Sequence, residues 1–138
     1  MRLEEVLLVV FRPGPEFLVL LRSPERHGYW NLVAGGVEEG EAPAAAARRE
    51  LDEESGLAQP VRFESVPLGL AYVRPEGSKV LLHGFSVEAP RGWEPILNEE
   101  HVEYRWCSAA DADALLAYPE PREAVRWVAR QLEGGGAK

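Results

Sequence analysis

Two apolar runs stand near the start of the chain, residues 6–11 and 17–21, on either side of Arg12-Pro-Gly-Pro-Glu16. Short apolar runs bounded by turn residues predict two strands and a turn. Residues 23–28 read as a polar loop, and 29–33 as a short strand entering Gly35-Gly36, which let the backbone turn tightly. Pro43 suits the first turn of a helix that continues through Ser55, with Gly56 placed to end it in the left-handed conformation. Residues 61–73 and 79–87 read as strands around a turn at 75–78, with Pro67 marking a break or an edge. Residues 88–103, with Pro90, Gly92, Pro95 and Asn98, read as a long loop, and 104–107 as a last short strand. Ser108-Ala-Ala-Asp111 is a candidate capping box for a short helix. Pro121 begins a final helix to Glu133 that sets Ala124, Val125, Val128 and Leu132 on one face. The order of elements predicts an α/β arrangement around a mixed sheet, as one domain over 1–133 with a flexible tail at 134–138.

Composition narrows the setting. With 46% hydrophobic residues in 138, the chain can bury a single core. No run approaches the ~20 apolar residues of a membrane span, and the start MRLEEVLLVVF lacks a signal-peptide cleavage region. The lone Cys107 excludes an internal disulfide framework and points to a reducing, cytoplasmic setting. A formal charge of −8 argues against nucleic acid or an anionic membrane as partner. The expected partner is a small molecule, with a homodimer left open.

The candidate chemistry lies on the internal helix. Glu50, Glu53 and Glu54 fall at i, i+3 and i+4, which stacks three carboxylates on one face. Such pairs cost a helix roughly 0.2–0.5 kcal/mol each in water. A hard divalent cation reverses that sign, because converging oxygens are the ligands it prefers. Three glutamates alone also describe a solvated acidic face.

The surroundings carry a longer pattern. Gly35 is followed by Glu41, then Arg49-Glu50-Leu51, Glu53-Glu54 and Gly56-Leu57, the spacing G-x5-E-x7-R-E-U-x-E-E-x-G-U with U aliphatic. This resembles the Nudix box of the MutT-type pyrophosphohydrolases, with every fixed position occupied. The segments Glu100-His101-x-x-Tyr104-Arg105-Trp106 and Arg122-x-Ala124-Val125 resemble the dihydroneopterin triphosphate and dATP pyrophosphohydrolase branch, except that Pro121 stands where that branch often has Asn.

The resemblance implies an α/β/α sandwich, and Mg²⁺ or Mn²⁺ held by the Gly36 carbonyl, Glu50, Glu53 and Glu54. Arg49 would orient Glu53 or Glu41 by charge-assisted hydrogen bonds. Glu53 is the base offered within the box; Glu100 is a second candidate, as base or metal ligand. Arg22, Tyr29 and Lys79 are candidate substrate contacts, each with a plainer reading as surface ion pair, core aromatic and solvated lysine. The implied reaction cuts a nucleoside or pterin triphosphate into monophosphate and pyrophosphate. Dinucleoside polyphosphates or other nucleoside diphosphate-linked compounds are the alternative. A non-catalytic ligand-binding module is a third, disfavoured because the box carboxylates are all present.

Overall fold

The computed structural model describes residues 3–136. Strand β1 (Glu4–Arg12) turns into β2 (Glu16–Arg22), and a single 3-10 turn (Pro24–Arg26) leads to β3 (Trp30–Asn31) and β4 (Val33–Gly36). Helix α1 (Pro43–Ser55) follows, then β5 (Arg62–Val73), β6 (Lys79–Glu88), β7 (His101–Cys107), α2 (Ala109–Leu115) and α3 (Pro119–Gly136).

The sheet is mixed. Its order is β3-β2-β1-β6-β5, with β4 on β1 and β7 on β2, and only β1 with β6 runs parallel. Strands β1 and β2 pair at their hairpin end alone, Phe11 with Phe17 and Arg12 with Glu16. They then diverge, and the edges they give up are taken by β4 on β1 and β3 on β2. Residues 29–36 thus fill a wedge opened in the middle of the sheet.

Alternation along β1 explains the two layers. Val6, Leu8 and Val10 join Ala46, Ala47 and Leu51 of α1 in one core cluster. Leu7, Val9 and Phe11 join Ala112, Ala124, Val125 and Val128 of α2 and α3 in another. Successive strand residues point to opposite faces, so an unbroken apolar run is what a strand covered on both sides requires. The result is the α/β/α sandwich.

Several boundaries differ from the sequence reading. Strand β7 starts at His101, because β2 offers an edge that Arg22 shares with His101 across a bulge. Helix α3 starts at Pro119, since both prolines fall in a first turn that needs no N–H donor, and it continues to Gly136 past the expected end. Residues 137–138 of the expected tail lie outside the described residues. Pro67 sits in a register shift between Val66 and Leu70 of the edge strand β5, where a missing donor costs no ladder bond. Gly35 and Gly36 form no tight turn; they lie in β4, opposite Val6 and Glu5. The left-handed turn before α1 is at Gly40, φ 79°.

Leu51 is 1% exposed between α1 and the sheet. Leu51→Ala is expected to cost about 2–5 kcal/mol by leaving a cavity. Urea unfolding checks this as a lower midpoint at an unchanged slope.

Candidate active site

Helix α1 divides its three glutamates. Glu50 and Glu54 are buried, 8% and 2% exposed, whereas Glu53 faces solvent. The burial is possible because Gly35 has no side chain: a Cβ there would overlap the Glu50 carboxyl. Chain reversal was the expected role of the glycine; close approach is the one found. Beside it, Glu54 accepts the Ala34 N–H at 3.3 Å.

Arg49 is the hub. Its Nε and Nη2 donate to the two Glu41 oxygens, both at 2.9 Å, and Nη1 donates to Glu50 at 2.7 Å. Nη2 also donates to the Gly36 carbonyl at 3.0 Å, while Glu53 is only 3.5 Å from Nη1. The planar fork suits such simultaneous contacts. The Glu41 hydrogen bonds raise the Arg49 pKa further against burial.

Glu54 is shifted the other way from an ordinary acid. Burial, then hydrogen bonding to Glu50 and the charge of Glu50, push its pKa far above the usual carboxylate range. His101 lies 3.9 Å from the Glu54 carboxyl, 5% exposed, with no hydrogen-bond partner on Nδ1. Burial, with the charges of Arg22 and Arg26, lowers its pKa to about 4, so it is neutral at pH 7. The buried oxygens around Glu54 are therefore short of positive charge, and an all-oxygen set suits a hard cation. Among the described residues, no three His, Cys, Asp or Glu side chains already converge in ligand geometry. Glu53 is exposed and paired with Arg49, and Arg49 holds the Gly36 carbonyl. A cation would have to draw in the first and displace the second.

Glu100 arrives from the far end of the chain. Its backbone carbonyl accepts the Ser23 N–H at 2.9 Å, its N–H donates to the Asn98 side chain at 3.1 Å, and its carboxylate lies 3.4 Å from Arg26. Together with Gly35, Gly36, Glu50, Arg22 and Arg26 it lines a cavity of about 450 Å³. Arg22 donates to the Arg26 carbonyl at 3.0 Å and lies 5.1 Å above the Tyr29 ring. Lys79 lines no part of this cavity. It opens β6, exposed, opposite Val73. Glu53 and Glu54 do not line it either.

A second cavity of about 500 Å³ adjoins the first and shares Glu5, Tyr29, Asn31, Ala34 and Tyr72 with it. Leu7, Leu82, Tyr118 and Pro121 make its wall largely apolar. Tyr29 meets Tyr118 edge to face, with ring centroids 5.1 Å apart. The cleft is thus charged at one end and aromatic at the other. Arg26, Glu5, Asn31 and Tyr118 escaped the sequence reading. Only Arg26, beside Pro24 in a polar turn, carried any local signal.

A model of the NUDIX domain matches residues 1–128. The chain belongs to the Nudix family. Nudix hydrolases are enzymes that act on phosphoric anhydrides. It is 37% identical over 127 residues to an octanoyltransferase of Myxococcus xanthus, covering 87% of this chain and 34% of that one. It therefore spans about a third of that protein's length. It is 25% identical to the dihydroneopterin triphosphate diphosphatase of Haemophilus influenzae, over 89% of this chain and 85% of that one. The structure of a C. elegans Ap4A hydrolase binary complex superposes with a TM-score of 0.81 at 26% identity, covering 96% and 98% of the two chains. No helix among the described residues of this Nudix protein is long and apolar enough to cross a membrane.

The raised Glu54 pKa makes a prediction for the metal-free protein. Below the unfolded pKa the carboxyl is protonated in both states and carries no penalty. As pH rises past it the unfolded chain loses the proton first, so folding is progressively weakened. His101 works oppositely, but only below its unfolded value of 6.5. In EDTA, the melting temperature of the native protein is expected to fall between about pH 7 and pH 9, and that of Glu54→Gln to fall less. Parallel profiles would count against the assignment.

Proposed function

We propose that the protein is a divalent-metal-dependent pyrophosphohydrolase that cuts a nucleoside or pterin triphosphate into monophosphate and pyrophosphate. The cleft carries this reading: one end offers oxygen donors and guanidinium groups, the other offers tyrosines, and five residues join them. That polarity matches a molecule with a flat ring at one end and a polyphosphate at the other.

The Gly36 carbonyl, Glu50, Glu53, Glu54 and Glu100 would hold Mg²⁺ or Mn²⁺. When bound, the ion supplies charge neutralisation on phosphate oxygens and a more acidic water. The chain's own residues do the rest. Arg22 and Arg26 bind phosphate oxygens, Tyr29 and Tyr118 flank the ring, and Arg49 fixes Glu50 and Glu41 relative to β4. Glu100 lines the cavity and is the better placed of the two candidate bases to accept the proton of an attacking water. Glu53 serves only after turning inward from the rim.

A second reading, dinucleoside polyphosphates, draws on the likeness to the C. elegans Ap4A hydrolase. The Arg22–Arg26 pair would suit the longer phosphate chain.

Assaying a panel of triphosphates, dinucleotides and nucleotide sugars for pyrophosphate, phosphate and nucleotide decides between these readings. One triphosphate class is expected to give the highest kcat/KM, and activity is expected to vanish in excess EDTA. Full turnover in EDTA would refute the metal-dependent reading. Glu53→Gln is expected to keep the fold and lose several orders of magnitude in kcat.

The distal glutamate has its own test. Glu100→Gln is expected to lower kcat by at least roughly a hundredfold, the lower range for a positioned base. Its melting temperature should hardly move, because a half-exposed carboxylate carries little core stability. Glu99→Gln, on an exposed neighbour, is the control and should behave as the native protein.

A further inference from the structure

The waist of the cleft holds a carboxylate that the proposed hydrolysis does not use. Glu5, on β1, stands opposite Gly36 of β4 on one side and Leu82 of β6 on the other. It lines both cavities, and it is the one carboxylate among the five residues they share. Its side chain is 25% exposed. One oxygen accepts the Tyr72 hydroxyl at 2.7 Å, and the other lies 3.5 Å from Arg74 Nη2. Burial, then the hydrogen bond to Glu5, raises the Tyr72 pKa to about 12, so the phenol stays a donor.

These contacts fix the carboxylate without exhausting it. An ionised carboxylate has about four acceptor sites and no donor. Two of them are engaged here. Of the other polar side chains of the waist, Tyr72 donates to Glu5 itself and Asn31 uses its oxygen on the Leu32 N–H at 2.8 Å. A ligand passing the waist therefore meets an anchored acceptor that requires a donor. A phosphate cannot meet that requirement, and a bare methylene leaves the carboxylate desolvated and unpaired. In a molecule with its ring at the tyrosines and its phosphates at Glu50 and Glu100, the sugar lies at the waist.

We propose that Glu5, held by Tyr72 and Arg74, is a specificity-determining residue that takes hydrogen bonds from the vicinal 2′- and 3′-hydroxyls of ribose, making the enzyme selective for ribonucleoside over 2′-deoxyribonucleoside polyphosphates. This rests on the reading of the cleft as a nucleoside polyphosphate site. Arg74 offsets the charge of Glu5, so phosphates nearby meet a neutral pair rather than an anion. Sites built to hydrogen-bond a substrate hydroxyl reject the analogue lacking it because the protein group is left unpaired. Partial exposure of Glu5 reduces that penalty by admitting water.

The test compares ATP, GTP, CTP and UTP with their 2′-deoxy counterparts. The ratio of kcat/KM for each pair is read in the native protein, Glu5→Ala, Glu5→Gln and Tyr72→Phe. The native ratio is expected to be at least about tenfold in favour of ribose, and to fall toward one in Glu5→Ala. Glu5→Gln keeps the shape and should fall in between, and Tyr72→Phe should lower the ratio by loosening the carboxylate. A purely structural Glu5 would lower both rates together and leave the ratio unchanged, which would overturn the proposal, as would a native ratio near one. Calorimetric titration with the α,β-methylene analogues of ATP and 2′-deoxyATP reads the same preference without turnover. Absence of any hydrolysis beside tighter ribose binding would reject the hydrolase reading and keep the role of Glu5. Equal binding of the two analogues, or none, would reject the role itself.

Discussion

Helix α1 and strand β4 meet where no side-chain carbon separates them, and the geometry of the cleft depends on that approach. At Gly35 the space of a Cβ is filled by the Glu50 carboxyl. The buried face of α1 is built from Ala46 and Ala47, small enough for the helix axis to lie close to the sheet. A helix set further out would leave Glu50 and Glu54 in water with no fixed position, and would remove the burial that raises the Glu54 pKa. Arg49 completes the junction by joining Glu41, Glu50 and the Gly36 carbonyl through one guanidinium. A lysine has the charge but not the fork, so it could not hold helix, loop and strand at once.

The sheet supplies the complementary constraint. Strand β1 is covered on both faces, and its odd and even residues serve different cores. Its parting from β2 creates the wedge that β3 and β4 occupy. The cleft is lined from that wedge, by Tyr29, Asn31, Ala34 and the glycines, with β5 and the start of α3 closing the aromatic end. A rigid floor with loop-borne walls is a common division of labour between scaffold and site.

How much of this could be read from the sequence depended on the range of the interactions. Helix α1 was legible because its period, its proline and its terminal glycine are local signals, and the box lies along it. The strands were legible as apolar runs, though β7 was short by three residues because its first pairing is decided by β2. Gly35 was legible as a necessary glycine, but spacing cannot tell a turn from a close contact. Glu100 entered through a resemblance rather than through any local pattern. Glu5 and Tyr118 were silent: a single acid on an apolar strand and a tyrosine among prolines acquire meaning only from register and packing. Lys79 shows the converse, a cation beside a turn that the fold leaves exposed at the start of β6, off the cleft.

The parallel pairing of β1 with β6 sets Val6 beside His83, so the middle of the sheet cannot be built from neighbouring segments. During synthesis β1 and β4, on which α1 rests, precede the helix, whereas β6 and β7, which complete the sheet, come later. Non-local pairing of this kind makes folding slow relative to helix formation. A chain that stops before residue 79 carries the box helix with Arg22, Arg26 and Tyr29, but lacks Glu100, Tyr118 and the strand that joins β1 to β5. The cleft is enclosed only when the segments after residue 79 dock against the first half of the chain, so its two ends are completed together.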